Sequence, residues 1–386
     1  MFSSRTPGSF EPNAWTERRL QLQLDGASPS YDLMQTDPIG VGLAPSAEAA
    51  MALALVGPVS YAPDPLGLPS ARAAVASMLE EDGVRALPGW IALTPSTSES
   101  YAHLFRLFCN PGERVAIPRP GYPLFEPIAR AEGVETLGYR LLWDGEWHLD
   151  RDSCLRALEG ARVFVTVEPG NPTGAVLGPK DRQWLERECA RRGVAIVADE
   201  VFRTPRTPGA SWLEGRRRAL TIVLGGMSKT CGLPHLKLAW AAFAGPEDLR
   251  GEALVRFEWL EDLFLGVATP VQLALPRLLA LRGPFRERVA ARIAENSERL
   301  RAFAAAHPEV SLVEPAAGWM QPLRMPGSRT SEDWAMRALE HDVAIYSGDS
   351  FDVDTGSYLV ASRIVAPDTM ARGLRGIARA LEDQPA

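Results

Sequence analysis

An apolar run ending in glycines leads straight into a serine and a lysine in "LTIVLGGMSKTCGLPHLKLAW", residues 220–240. The chain holds three lysines, Lys180, Lys229 and Lys237; the other 38 of its 41 basic residues are arginine. Arginine keeps its proton at working pH, whereas lysine can shed one when its surroundings disfavour charge. A lysine kept in an arginine-rich chain marks a place where a free primary amine is useful, for imine formation or for carrying a proton. Gly225, Gly226 and Gly232 around it are expected to let the backbone approach something closely.

Four other run ends carry polar groups of matching character. In "TPSTSESYAHLF" (94–105) a helix is expected to start near Thr97, with Ser96 and Glu99 as a capping box. Its first turn, with Thr97 and Ser98, serves as ordinary capping or as an anion site. Tyr122 in "PRPGYPLFEP" is a turn residue on the core or a ring that stacks on a flat ligand. Asn171 in "VEPGNPTGAVLG" sits in a sharp turn with its amide at a strand end. Asp199 and Glu200 close "VAIVADEVF", where a carboxylate needs a cationic partner, an arginine or a ligand nitrogen. Taken in order, these are a phosphate cradle, a ring, an amide, a carboxylate and a lysine. That set would bind pyridoxal phosphate, with Lys229 forming the imine and Asp199 holding the ring nitrogen protonated.

Such groups need a scaffold that brings strand ends together. "WIALT" (90–94), "RVAIP" (114–118), "VETLGY" (134–139), "RVFVTV" (162–167), "VAIVAD" (194–199), "LTIVLG" (220–225) and "AWAAFA" (239–244) are apolar almost throughout, as strands buried on both faces are. They alternate with helical stretches, which predicts an α/β large domain with a mostly parallel seven-stranded sheet sandwiched by helices. Ligands gather at the carboxyl ends of such strands. Beyond residue 270 a long helical stretch, broken near Gly283-Pro284, leads to shorter strands and helices, a smaller α+β unit. The expected division is 45–280 for the large domain, with 1–44 and 281–386 forming the small one.

With these motifs in place, the sequence resembles the fold-type I pyridoxal-phosphate enzymes of the class I/II aminotransferase family, from "SYAPDPLGLPSARAAVASML" (60–79) to "YLVASRIVAP" (358–367). The resemblance implies roles for individual residues. Lys229 is the Schiff-base lysine and proton shuttle, and Asp199 the partner of the ring nitrogen. Asn171 bonds the ring 3-oxygen beside the substrate, and Tyr122 stacks on the ring. Thr97, Ser98, Ser228 and Lys237 hold the phosphate. Tyr61 reaches the phosphate of a neighbouring subunit, which implies a homodimer with active sites at the interface. Arg363 grips the substrate α-carboxylate in a bidentate fork. Three positions depart from the family pattern. Phe202 stands where a tyrosine hydroxyl is common, Gly226 where a serine is common, and Lys237 where an arginine is common. Loss of the tyrosine donor predicts a higher imine pKa.

Composition narrows the classes further. A net charge of −7 argues against a nucleic-acid surface, and the short "EGRRRAL" cluster reads as a solvated loop. Cys109, Cys154, Cys189 and Cys231 lack metal-ligand spacing or a C-x-x-C pair, which fits a reduced cytoplasmic protein. No run approaches the length of a membrane helix, and the N-terminus lacks an apolar signal core. The expected activity is amino transfer between an L-amino acid and a 2-oxo acid. Lyase, decarboxylase or side-chain cyclase chemistry on the same residues is the alternative. A non-catalytic sensor is disfavoured, because the 60 residues before Tyr61 hold no basic helix-turn-helix pattern. No second arginine can be assigned to a substrate side chain, and Trp15, Trp319 and Tyr346 are either pocket or core.

Overall fold

The computed structural model of the chain describes residues 2–7, 12–55 and 62–382. All seven apolar runs become strands of one sheet: β1 (Ile91–Thr94), β2 (Arg114–Arg119), β3 (Glu135–Trp143), β5 (Ala161–Val167), β6 (Ala195–Asp199), β7 (Thr221–Gly226) and β8 (Ala239–Ala244). A short eighth, β4 (Trp147–Leu149), pairs back on the end of β3. The spatial order is β1-β8-β7-β6-β5-β2-β3-β4. The pairs β7/β6, β6/β5, β5/β2 and β2/β3 are parallel, while β8 runs against both β7 and β1.

The central strands of the sheet are covered on both faces, which is why they read as continuous apolar runs, while β3 and β4 at the edge are largely exposed or half-buried. Val163, Val165 and Val167 of β5 pack with Tyr101, Leu104 and Phe105 of helix α1 (Thr97–Phe108). Phe164 between them points the other way, to Leu185 and Cys189 of α2 (Pro179–Arg192). Each such side chain, removed fully from water, contributes about 1.5–3 kcal/mol.

Register carries the consequence for the site. Thr94 lies opposite Ala239, and Ala239 opposite Gly226. Leu224 lies opposite Asp199, and Asp199 opposite Val167. The ends of β1, β7, β6 and β5 and the start of β8 therefore form one rim. The residues that follow them emerge side by side.

The glycines near Lys229 make room for protein. A Cβ on Gly225 would lie 2.4 Å from Nε1 of Trp240, and one on Gly232 2.4 Å from the Phe285 ring. Gly232 also has φ +71°, which glycine adopts without strain.

Helices α3 (Glu247–Asp262), α4 (Thr269–Ala280) and α5 (Arg282–Ala306) follow the sheet. The expected break falls two residues earlier, at Leu281, and Gly283-Pro284 lie in the first turn of α5, where a missing N–H costs no helical bond. A second, antiparallel sheet has the order β9 (Ser311–Leu312), β10 (Met320–Met325), β12 (Ser357–Ser362), β11 (Tyr346–Ser347). It is backed by α6 (Ser331–Glu340) and α7 (Pro367–Glu382) in a core with Leu33, Trp334, Leu359 and Ile377. Tyr31–Asp32 pairs in parallel with Val343–Ala344, fastening the N-terminal segment to this unit.

Candidate active site

A cavity of about 510 Å³ opens at the rim of the large sheet. It is lined by Thr97, Ser98, Tyr122, Asn171, Asp199, Phe202, Ser228, Lys229 and Lys237, nine of the residues singled out from sequence. Tyr61 lies outside the described residues.

Each polar group arrives by a local device. Ser96 caps α1, its hydroxyl accepting from Glu99 N–H at 3.1 Å, which aims the free N–H groups of the first turn at the cavity. The reciprocal half of the expected capping box is absent; the Glu99 carboxylate lies near buried His103 and Glu261 instead, their ligand atoms within 4.8 Å of one another. Tyr122 follows β2 and meets Phe125 edge-on, its ring centroid 5.6 Å away. Burial raises the Tyr122 phenol pKa, and a hydrogen bond with Ser98 works against the rise. Asn171 lies four residues beyond β5, and its buried Oδ1 has no partner.

Asp199 is buried at the end of β6. One of its oxygens accepts from the Tyr101 hydroxyl at 2.9 Å and the other from Val201 N–H at 3.0 Å. Burial lifts its pKa to about 6, against those two bonds and the charge of Lys229. Lys229 sits in the short helix Met227–Thr230 directly after β7. Burial pushes its amine down to about 8, while the carboxylates of Asp37 and Asp199 pull it up. Its Nζ lies 4.8 Å from the Trp319 ring centroid and 5.5 Å from that of Phe202. Lys237 is exposed at the rim, with φ 50°. Among the described residues, neither lysine forms an ion pair.

Arg363 is placed apart. It follows β12, is 5% exposed, and lines a second cavity of about 470 Å³ together with Trp319 and Arg286. Val201, Phe202 and Lys229 line both cavities, so the two meet at the amine. The Arg363 guanidinium donates to Gly318 O at 2.5 Å and to Ser297 Oγ at 3.4 Å, and its Nε has no partner. Burial lowers its pKa to about 10, and it forms no ion pair among the described residues.

Sequence reading missed Tyr101, whose signal was a tyrosine on the sheet-facing side of α1, and Thr36, Leu124, Met320 and Phe351, which line the cavity from distant segments. Tyr346 lines the first cavity and Trp319 the second. Trp15 packs half-buried against the small-unit core, its Nε1 donating to Ala335 O at 3.2 Å.

The sequence profile of the family described as Aminotransferase class I and II matches residues 42–368. S-alkyl-thiohydroximate lyase SUR1 of Arabidopsis thaliana is 28% identical over 230 residues, covering 57% of this chain and 49% of that protein. Tyrosine aminotransferase of Homo sapiens is 26% identical over 265 residues, covering 66% of this chain and 58% of that protein. The chain spans about half the length of the curated relatives it matches. The solved alanine aminotransferase from Pyrococcus furiosus has the same fold, with a TM-score of 0.87 over 99% of this chain and 100% of that one, at 19% identity.

Proposed function

Because the chain belongs to the class I and II aminotransferase family, we propose that it transfers the amino group of an L-amino acid to a 2-oxo acid with pyridoxal phosphate as cofactor. The observation that carries this reading is Lys229, a half-buried amine with its pKa lowered to about 8, beside Asp199 in a cavity at the sheet rim. The donor set fits the cofactor. The Asn171 side chain makes no hydrogen bond among the described residues, so its amide NH2 group is open to a ring oxygen, Asp199 has no cationic hydrogen-bond partner, and the two cavity lysines lack counter-ions among the described residues.

When bound, pyridoxal phosphate supplies an aldehyde for amines and a ring that withdraws electrons from the substrate Cα. The chain's residues do the rest. Thr97, Ser98 and Ser228 hydroxyls, the α1 N-terminus and Lys237 would hold the phosphate. Tyr122 would cover one ring face and Asn171 would bond the ring oxygen. Asp199 would keep the ring nitrogen protonated, and that positive charge would in turn lower the Asp199 pKa. An amine with a pKa of about 8 is partly neutral near neutral pH, so Lys229 can take the Cα proton and return it at the next carbon. Arg363, a buried cation lacking a carboxylate among the described residues, would take the substrate carboxylate from the second cavity, which meets the first at Lys229. Tyr61 would come from a partner subunit.

Leu124, Met320, Tyr346 and Phe351 line the first cavity, and its cations among the described residues are Lys229 and Lys237. This supports an apolar or aromatic amino donor over a dicarboxylic one. A second reading, carbon–sulfur lyase, has one observation in its favour, the 28% identity to a lyase of that kind. Both readings use the same lysine.

The division into a large unit at 45–280 and a small one from 1–44 and 281–386 is supported by the two sheets, which lie wholly within 91–244 and 311–362, and by the Tyr31–Val343 pairing. Four buried, unpaired cysteines support a reducing, cytoplasmic setting. No helix among the described residues is long and apolar enough to cross a membrane.

The test is spectroscopic. Purified protein with pyridoxal phosphate is expected to show a visible absorption band. Apolar and aromatic amino acids should bleach it, and turnover should require an added 2-oxo acid. Lys229→Ala should lose the band and lower turnover by a factor of about 10³ or more. Wild-type turnover in that variant defeats the assignment, and ammonia release without an acceptor transfers it to the lyase reading.

A further inference from the structure

Two buried carboxylates adjoin the site without a role in the chemistry above. Glu168, 1% exposed, begins the turn that carries Asn171; Glu200, 8% exposed, directly follows Asp199. One residue holds both. Trp212, fully buried, donates its indole Nε1–H to Glu168 Oε1 at 2.6 Å and its backbone N–H to Glu200 Oε1 at 2.7 Å. The adjacent Ser211 hydroxyl donates to Glu200 Oε2 at 2.7 Å. The other Glu168 oxygen accepts from Leu177 N–H at 3.2 Å, so the carboxylate ties the first residue of the 168–177 turn to its last.

The surroundings leave the clamp little freedom. The guanidiniums of Arg182 and Arg217 lie 4.4 and 5.3 Å from the Trp212 ring centroid. Arg182 also stands 3.8 Å from Glu168, and Arg203 stands 3.8 Å from Glu200. Leaving either carboxylate short of a donor here is costly, because water cannot replace the lost bond. Glu168 and Glu200 each lie one residue beyond adjacent parallel strands, at the register point where Val167 faces Asp199. Their separation therefore sets how far the Asn171 amide stands from the Asp199 carboxylate.

We propose that Trp212 is a positioning residue for the cofactor, acting through Glu168 on Asn171 and through Glu200 on Asp199. The inference rests on the reading of the cavity as a pyridoxal-phosphate site. It goes beyond that reading by assigning the grip on the ring to the segment 211–214, which does not line the first cavity.

The experiment uses full-length apoprotein titrated with pyridoxal phosphate. Wild type, Trp212→Phe, Glu168→Gln and the double variant are compared. Trp212→Phe keeps an aromatic ring and the backbone donor while deleting the indole N–H. Three quantities are read: the cofactor Kd, the pH midpoint of the bound cofactor's visible band, and the melting temperature. Trp212→Phe is expected to weaken binding by about tenfold or more. It should also raise the midpoint, because a displaced Asn171 amide no longer favours the deprotonated form. Glu168→Gln should behave alike, and the double variant should fall within about twofold of the worse single one, as for groups acting as a unit. A lower melting temperature with Kd and midpoint unchanged would make Trp212 a packing residue only and overturn the proposal. Independent, multiplying effects overturn it as well. If Trp212→Phe does not fold, Glu168→Gln and Ser211→Ala each test one arm, and unchanged Kd and midpoint in both reject the clamp. Failure of wild type to bind the cofactor is a separate result, which removes the cavity reading and this inference together.

Discussion

Phe202 sets the chemistry of the lysine by what it lacks. Its ring lies 5.5 Å from Lys229 Nζ and that of Trp319 lies 4.8 Å away, so two aromatic rings flank the amine, and in the proposed cofactor site position 202 offers no hydroxyl to the ring oxygen. The faces favour the charged amine, but burial outweighs them and the pKa falls. Phe202→Tyr should restore a donor to the bound cofactor and lower the pH midpoint of its visible band by about one unit, read by spectrophotometric titration. The free protein offers a second check. The Lys229 pKa falls from 10.5 unfolded to about 8 folded. Its stability contribution is therefore complete above 10.5 and is lost as pH falls through 8. The cost of the charged amine builds between those two values and is complete below 8. Lys229→Met should raise apoprotein stability at pH 7 by on the order of 2 kcal/mol, and calorimetry should find the gain gone near pH 10.5. Lysine scarcity made Lys229 visible in the sequence. Tyr101 and Trp319 gave no comparable sign, because aromatic residues at buried spacing are usually core.

Gly174 shows how one turn joins two sheets. It ends the "NPTG" turn with φ +64°, and a Cβ there would lie 2.1 Å from Cβ of Pro315. Its carbonyl accepts from Ala316 N–H at 3.1 Å and Ala317 N–H at 3.3 Å, tying the Asn171 turn to the segment that enters β10. Gly174→Ala meets both backbone strain and a clash, so stability should drop by about 2 kcal/mol or more in denaturant titration, with weaker cofactor binding. Six of the seven main strands were legible because burial on both faces leaves a nearly unbroken apolar run, whereas in β3 only Tyr139 is buried. β4 was missed, since three residues give no periodicity, yet the Asp144-Gly145 turn before it is a hairpin sign. That pairing also extends β3 to Trp143, beyond its expected end at Tyr139.

The outer face of α3 and the turn after it remain uncovered. Val255, Trp259, Leu263, Phe264 and Leu265 are between 49% and 67% exposed, although Phe257 and Leu260 of the same helix are buried. We propose a second copy of this chain as the occupant, in line with the proposed role of Tyr61, which needs a partner subunit. Sedimentation equilibrium should give a dimer. Trp259→Asp should shift it toward monomer and weaken cofactor binding together; a monomeric wild type with full activity would refute the shared site.

Residue types alone specify an amine that can be neutral, a carboxylate that needs a cation, an amide and a cradle of hydroxyls. Their chain order along strand ends points to the chemistry proposed above, because a parallel sheet brings those ends to one rim. Which groups actually meet depends on strand order and register, and these come from contacts between residues far apart in the chain. Hence β8 enters the rim by running backwards beside β7, and Trp212 clamps two strands from a loop with no motif. Arg363 is assigned to a substrate carboxylate by the family resemblance alone, and its seat in the second cavity beside Trp319 and Arg286 is decided by the tertiary structure.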